Sequence, residues 1–504
     1  MKPICLLAGL LSLPFFLSAQ LAGSPDNTFG ANGFTNYSIH SSTDIAWDLA
    51  LQPDGKIIQV GQTYNFISTE FGVARLLANG APDPAFGADG RVSLPVEGNS
   101  NDYCRAVALL PDGKILIGGQ YNLNADDDWA LMRLTPTGAL DNSFGTGGVQ
   151  KIRVSDKNDD LFDLLVQPDG KILCAGLSDK SAIVMRLNAN GTPDNSFGTS
   201  GKVTLTASNA IAAYALILLP DGKILVGGER DNQMFAVRLS AGGVLDNSFG
   251  TGGLGGADIA GGIERGRAMA LLPDGKILLG GSRRLSSAAG FDFAVMRLNA
   301  NGALDNSFGQ QGLATLDFNN NNDEGFGMAV QPDGKILLGG STQAANSDWA
   351  LGRLNADGSL DDSFGTNGRV VKDFGGNEDI IYKLLLQPDL RLLASGYVQT
   401  PGYDFALARY QTGLTVGVLS PEPLPLTLYP NPAKSYILLE GSGLNSGRYQ
   451  CRIIDAFGRL MMDQAIDYQA AGIRLELPLS LAAGVYSIQV QSGGQMALAR
   501  LLIQ

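Results

Sequence analysis

The sequence predicts an all-β protein, a seven-bladed β-propeller of four-stranded blades followed by a small C-terminal β-sandwich. Three observations predict it: a motif period of 52 to 59 residues, a glycine-rich composition, and a change of composition after residue 411. Glycine supplies 66 of 504 residues while only 17% are charged and 44% are hydrophobic. That combination describes many short strands and tight turns rather than disorder. A chain of this length exceeds what one ordinary core supports, so several domains or a repeat array are required.

The period rests on three signatures. Pro-Asp-Gly-Lys occurs with its proline at 53, 111, 168, 220, 273 and 332, and a degenerate Pro-Asp-Leu-Arg starts at Pro388. Phe-Gly falls at Phe29, Phe86, Phe144, Phe197, Phe249, Phe308 and Phe364. Arg-Leu or Arg-Tyr ends each unit, with the arginine at 75, 133, 186, 238, 297, 353 and 409. Seven copies of each signature make a repeat architecture.

Residues 201–250 show one unit. Val203–Thr206, Tyr214–Leu219, Ile224–Val226 and Phe235–Leu239 are short β-prone runs. Between the second and third, Pro220-Asp221-Gly222 suits a tight hairpin turn: proline presets φ, and glycine accepts the left-handed conformation. Asn-Gly or Asp-Gly turns, such as Asp357-Gly358, follow the fourth run. No segment of the repeats sustains a 3.6-residue apolar period between helix caps. A sheet of about 55 residues cannot bury both faces alone, but radial stacking buries them. Apolar pairs such as Leu109-Leu110 and Leu271-Leu272 are then expected between blades. A solenoid is the rival; a four-strand meander in each of seven units favours the closed propeller.

The first residues read as a signal peptide over 1–19, excluded from the fold. Lys2 gives a positive start, Ile4 to Leu17 an apolar run interrupted by Pro14, and Leu17-Ser18-Ala19 a small-residue exit. The run is too short to span a bilayer. Beyond it, Cys104, Cys174 and Cys451 have neither the even number of a disulfide framework nor CxxC spacing. Residues 412–427, with Ser420-Pro421-Glu422-Pro423-Leu424-Pro425, read as a proline-rich linker. The remainder, 428–504, reads as strands and turns of a small sandwich.

The motifs at 274–281, 292–298 and 301–309 (Asp-Gly-Lys-Ile-Leu-x-x-Gly, Asp-Phe-Ala-Val-x-Arg-Leu, Asn-Gly-x-Leu-Asp-x-Ser-Phe-Gly) resemble the bacterial delta-60 repeat family. The resemblance covers residues 24–411 and implies little about function. Leu428-Tyr429-Pro430-Asn431-Pro432, Cys451 to Leu460 and Ala483 to Val490 resemble the type A sorting domain of the type IX secretion system of Bacteroidota. Pro430, Asn431, Pro432, Gly484 and Tyr486 carry that likeness, with Arg500 standing where the family often has lysine. It implies a route: export to the periplasm, recognition by an outer-membrane translocon, and removal of the tail by a sortase. The passenger is then secreted or anchored to the outer-membrane surface.

Charge and chemistry narrow the function. A net charge of −13 argues against binding a phosphate backbone. The only histidine is His40, no GxSxG elbow occurs, and the Gly-Gly pairs at 118, 227, 280 and 339 are read as ending strands without opening a helix. No catalytic residue is therefore assigned, and the chain is read as a non-enzyme.

In a four-strand meander the first and third connections share one end. Here they are the variable ones, where function concentrates on a rigid scaffold. They carry Tyr64, Phe66, Tyr121, Asp126, Asp127, Arg283, Arg284, Asn319 to Asn322, and Tyr403. Nine residues before each turn proline stands a carboxylate in six units, Asp44, Asp102, Asp159, Glu264, Asp323 and Asp379, with Ile211 the exception. An acidic ring would hold cations such as calcium, or grip a cationic or polyhydroxyl ligand. Alternatively each carboxylate accepts backbone N–H groups of its own loop, and identical placement in every unit favours that reading. The repeated arginines are expected to pair with aspartates such as Asp141 and Asp305 and to stack on an aromatic ring, the alternative being an anion-binding ring. No cofactor is required; calcium is the one cation the acidic residues would suit.

The expected function is a secreted or surface binding module for a glycan or protein. The alternatives are an envelope scaffold without a small ligand and a carboxylate-based glycan-degrading enzyme. How the ring closes is open, since residues 24–33 repeat the Asp-x-x-Phe-Gly signature and would complete the last blade.

Overall fold

The computed structural model describes residues 21–503 except 41–42, 99, 124–125, 257–260, 287, 344–345, 377, 415–423, 432, 442–445, 456–459, 470–471, 479–480, 482–483 and 493–494. The expected signal peptide and Pro432 lie outside the described residues.

Seven four-stranded antiparallel sheets are present. Blade one consists of Asp44–Leu51, Ile57–Tyr64, Thr69–Leu76 and Arg91–Leu94 in meander order. The first strands of successive sheets meet all the way round, the strand Asp379–Leu386 of blade seven touching Asp44–Leu51 of blade one. They form the inner ring of a closed propeller. Each fourth, outer strand follows the Phe-Gly turn, so the blade is offset by one strand from the unit read at 201–250. Lys202–Leu205 pairs with Ser181–Leu187 and belongs to the preceding blade.

Ring closure follows the same rule. The outer strand of blade seven is Phe34–Tyr37 from the N-terminal end, paired with Tyr403–Tyr410 near the end of the repeats. Asp26 and Phe29, just before it, complete the last turn.

Seven apolar clusters each join two neighbouring blades. Ile58, Val60 and Phe71 of blade one pack with Cys104, Ile115 and Ile117 of blade two. Leu109 and Leu110 face opposite interfaces, Leu109 packing with blade one's cluster and Leu110 with blade three's. This is the expected use of the apolar pairs.

One repeated ion-pair cluster ties the outer edge. Each signature arginine donates its Nε–H to an aspartate at 2.7–2.9 Å, as in Arg133–Asp141 and Arg297–Asp305. It lies over the phenylalanine of Phe-Gly, with 4.5–4.8 Å to the ring centroid. Another guanidinium nitrogen reaches a carbonyl of the next blade, as Arg133 does to Ala189 O at 2.7 Å. The turn lysine joins the same carboxylate, as in Lys114–Asp141 at 3.1 Å; in the degenerate seventh turn Arg391 takes its place on Asp26 at 3.1 Å. Three signatures spread along the sequence thus meet in one cluster.

The tail is a separate seven-stranded unit. Leu424–Tyr429 pairs parallel with Gln495–Ile503 on one side and antiparallel with Tyr436–Gly441 on the other. Ile437, Leu439, Cys451, Ile453, Ile488 and Val490 fill its core. The strand Leu424–Tyr429 starts inside the segment expected as linker, because Leu424, Leu426 and Leu428 alternate as a strand requires. At the other end of that segment Thr412 still bonds to Arg353 and Leu390 of the propeller.

Candidate functional site

Every inner strand carries a β-bulge at the same place. The register slips between Ala46 and Asp48, Cys104 and Ala106, Leu161 and Asp163, Ala213 and Ala215, Gly266 and Ala268, Gly325 and Gly327, and Ile381 and Lys383. A bulge re-aims a side chain. The seven bulged residues are Trp47, Arg105, Phe162, Tyr214, Arg267, Phe326 and Tyr382, all half-buried.

The facing strand makes the bulge feasible. A Cβ on Gly61, Gly119, Gly176, Gly228, Gly281, Gly340 or Gly396 would lie 1.8–2.0 Å from a carbonyl oxygen of the bulged strand. These glycines sit inside strands such as Ile115–Leu123, so the Gly-Gly pairs do not end strands as expected. They let two backbones approach.

The bulged side chains form a ring in which five of the seven neighbouring pairs are in π contact. Arg105 lies 3.7 Å from the Trp47 ring and Arg267 lies 4.0 Å from that of Tyr214. Phe162–Tyr214, Phe326–Tyr382 and Tyr382–Trp47 have centroid separations of 4.5, 4.9 and 4.1 Å. One residue further along, Asp48 accepts N–H from Val107 of the next blade and Asp163 from Leu216 of the next. Lys383 Nζ stands 2.9 Å from Asp48 and links blade seven to blade one. Burial raises the Asp163 carboxyl to about 6 against the pull of Lys383.

Sequence reasoning missed this ring, although its signal was present. Counting six residues back from each turn proline finds an aromatic residue or arginine in all seven units.

The predicted carboxylates do open the inner strands at the variable-loop end. They form no exposed acidic ring: Asp44, Asp102, Asp159, Asp323 and Asp379 are 0% exposed and Glu264 is 1% exposed. Asp44 accepts N–H from Ile39 and His40, Asp159 from Val154 and Ser155, Asp323 from Phe318, and Asp379 from Phe374 and Gln399. Asp102 accepts from Val96 at 2.7 Å, and burial raises its carboxyl to about 6. Glu264 pairs with Arg283 at 3.3 Å. A buried carboxylate needs such donors, so the five aspartates shape their own loops, while Glu264 is held by Arg283 of the facing strand.

Two further carboxylates join a buried one in two adjacent blades. Asp292, Asp317 and Asp323 form one triad and Asp348, Asp373 and Asp379 another, with oxygens within 4.8 Å in each. Burial first, then Asp317 and Asp323, raises Asp292 to about 6. Three hard oxygens are a partial donor set for calcium, which takes six to eight.

Tyr64 ends the second strand of blade one and Tyr121 lies within that of blade two, not in the loops where they were expected, Tyr64 standing 6.1 Å from Phe66 and Tyr121 buried beneath Lys151. A depression of about 420 Å³ between blades two and three is lined by Asp126, Lys157, Asn158, Asp160, Leu177 and Asp179. Tyr403 stands half-buried on blade seven, 5.2 Å from Tyr397. His40 donates its backbone N–H to Asp44. Cys104, Cys174 and Cys451 are free and buried, their thiols pushed up by burial.

In the tail, Asn431 clips the final strand: its amide donates to Arg500 O at 2.8 Å and its carbonyl accepts from Leu502 N at 2.7 Å. Gly484 opens the strand that ends at Ser492, Tyr486 is buried in it, and Arg500 is exposed opposite Ser487.

The family model of a β-propeller domain of unknown function, DUF5122, matches residues 52–86, 110–144, 167–197, 219–249, 272–308 and 331–364. That of a secretion system C-terminal sorting domain matches 427–504. The chain is a DUF5122-repeat propeller with a type IX sorting tail. The seventh repeat, outside those six matches, has its turn at Pro388 and its Phe-Gly at Phe29, at opposite ends of the repeats. No curated protein matches the chain.

The DUF5122 propeller is similar to several solved structures. A protein of unknown function from Dyadobacter fermentans has 13% identity and a TM-score of 0.41, covering 75% of this chain and 99% of its own. Sqt1 of Chaetomium thermophilum has 13% identity and a TM-score of 0.38, covering 75% and 98%. A polysaccharide lyase, the PL25 ulvan lyase, has 10% identity and a TM-score of 0.44, covering 75% and 96%. The sorting tail implies export and secretion or attachment at the cell surface, and no helix among the described residues is long and apolar enough to cross a membrane.

Proposed function

We propose that this chain is a non-catalytic recognition module, delivered to the cell surface or medium by its tail and binding a glycan or protein on its variable-loop face. The ring of Trp47, Arg105, Phe162, Tyr214, Arg267, Phe326 and Tyr382 carries the reading. Aromatic residues make effective contact surface at low entropic cost. Here they line the inner strands of a rigid scaffold, below the loops that vary most between blades. The partners in delivery are the type IX translocon and sortase.

A thermal-shift screen of the mature chain against glycans, peptidoglycan fragments and calcium tests the reading. A ligand at 100 times its Kd stabilises the folded state by about 2.7 kcal/mol. Stabilisation by any glycan or peptidoglycan fragment supports recognition. No shift from these, together with no captured surface protein, favours the scaffold reading.

A further inference from the structure

An aromatic ladder runs outward from the ring in blade seven. Trp47 meets Tyr382 at 4.1 Å between centroids, Tyr382 meets Tyr397 at 5.9 Å, and Tyr397 meets Tyr403 at 5.2 Å. Phe326 packs against its base, 4.9 Å from Tyr382. The ladder passes from the half-buried inner strands to the loop after Gln399, where Tyr403 begins the third strand.

One exposed carboxylate crowns it. Glu378 Oε2 accepts the hydroxyl of Tyr403 at 3.2 Å and that of Tyr397 at 3.4 Å. Both hydroxyls spend their hydrogens on Glu378 and keep lone pairs to accept from a ligand. Thr400 and Asn36 similarly orient Asp404, the residue after Tyr403, at 3.0 and 3.1 Å.

We propose that the ladder Trp47–Tyr382–Tyr397–Tyr403, with Glu378 at its rim, is a binding site for a neutral polysaccharide chain. It rests on the reading of the variable-loop face as a recognition surface. The half-buried rings of Trp47, Tyr382 and Tyr403 offer apolar surface to the C–H faces of sugar rings, with Tyr397, 4% exposed, packed between them as their support, while Glu378 and the Tyr403 oxygen receive hydroxyl hydrogens. A single ammonium group would fill only one step of the ladder. Acidic neighbours select against anionic glycans: Glu378 and Asp404 stand at the rim and the chain carries −13 overall. The nearby cations are already engaged, Arg105 on Trp47 and Lys383 on Asp48.

The molecule carries its own reporter. Of its three tryptophans, Trp129 and Trp349 are 0% and 1% exposed, whereas Trp47 is half-buried at the ladder's base. The experiment titrates the full mature chain with hexasaccharides of neutral glucan, xylan and mannan, with an oligogalacturonate and with a lysine-rich hexapeptide. Tryptophan emission and calorimetry are read in parallel. The expected result is saturable binding of at least one neutral hexasaccharide with a change in emission that Trp47→Phe removes. Tyr403→Ala and Glu378→Gln should each weaken it about tenfold or more, with melting temperatures unchanged, while Leu285→Ala on another loop leaves binding intact. If a neutral glycan binds but ignores Tyr403→Ala and leaves the emission unchanged, this site is wrong and the recognition reading survives. If only the oligogalacturonate or the peptide binds, the ligand class is wrong. If none of these probes binds, the site is wrong; the recognition reading then stands or falls by its own screen.

Discussion

Arg409 donates its Nε hydrogen to Asp26 at 2.7 Å across 383 residues of sequence. Everywhere else in the ring the equivalent pair is eight residues apart, as in Arg75–Asp83 and Arg353–Asp361. The N-terminal segment therefore supplies what each other blade takes from its own following turn. Phe29 lies under Arg409 with 4.7 Å to the ring centroid, and the strand Phe34–Tyr37 adds the missing backbone pairing.

Asp26→Ala should consequently act as a ring-opening substitution. Asp26 is 1% exposed and Arg409 5% exposed, and removing one partner of a buried pair costs about 3–5 kcal/mol. Arg391 loses its partner as well. The expected outcome in urea unfolding is a loss of about that size. Limited proteolysis should cut between residues 24 and 40 in Asp26→Ala but not in Asp83→Ala, where the broken pair does not join the chain ends. Equal cleavage in both variants would count against closure through Asp26.

The bulge glycines make a second prediction. A Cβ on Gly281 would stand 1.8 Å from Arg265 O, and moving it requires displacing an inner strand. Gly281→Ala should destabilise by about 3 kcal/mol through overpacking. Gly147, at φ +63 with nothing within 4 Å of a Cβ, should cost about 1–2 kcal/mol for its left-handed backbone alone. Chemical denaturation of the two variants measures the difference, and similar losses would mean the bulge relaxes freely.

Those glycines also mark what was legible in the sequence. Seven copies of three signatures announced the propeller, and the arginine–aspartate pairs followed from charge and spacing. The offset of the blades was not legible, because a four-residue strand such as Lys202–Leu205 carries too little pattern to choose its partner. The carboxylates nine residues before six of the seven turn prolines were found, but a sequence does not reveal whether a loop folds back over its acid. The bulged ring escaped because Trp47, Arg105 and Phe162 share no letter, only a flat π surface; the bulge that aims them comes from the strand opposite.

Stability should depend on pH in two opposing ways. Asp102, Asp163 and Asp292 are raised to about 6 by burial, with Asp317 and Asp323 adding to the effect on Asp292. Their charged forms are disfavoured in the folded state relative to an unfolded aspartate near pH 3.9. They oppose folding above pH 6, and that penalty is relieved as pH falls through 6 toward 4. Asp141, Asp194, Asp246, Asp305 and Asp361 are held below the usual carboxylate range. In Asp141, Asp194 and Asp246 a serine hydroxyl leads, helped by the arginine partner and, in Asp141 and Asp194, by the turn lysine; in Asp305 and Asp361 the serine, lysine and arginine partners overcome burial. Their stabilisation is full above the unfolded pKa and lost as pH falls below it. The melting temperature should therefore rise from pH 8 to a maximum between roughly 4.5 and 5.5 and fall below 4. Asp292→Asn should raise it by roughly 2–4 °C at pH 8 and by less at pH 5, in chelator. A flat profile, or an equal shift at both pH values, would contradict the assignment.

The tail offers a prediction that separates delivery from binding. Asn431 holds the last strand from both sides, giving its amide to Arg500 O and taking Leu502 N. Removing both bonds with Asn431→Ala should cost about 1–3 kcal/mol of the tail's own stability. The final strand pairs along its length with Gly484–Ser492, so loosening it disturbs the element next to the tail's core. In a host with a type IX system, Asn431→Ala should lower the fraction of protein reaching the surface or medium and raise the periplasmic fraction. Ligand binding by the purified variant should be unchanged, because the ladder and Glu378 belong to the propeller, in blades one and seven. Asn431→Asp keeps an acceptor for Leu502 N but loses the donor to Arg500 O, so it should fall between the wild type and Asn431→Ala in both tail stability and export. Normal export of Asn431→Ala with a destabilised tail would mean that recognition does not read this strand.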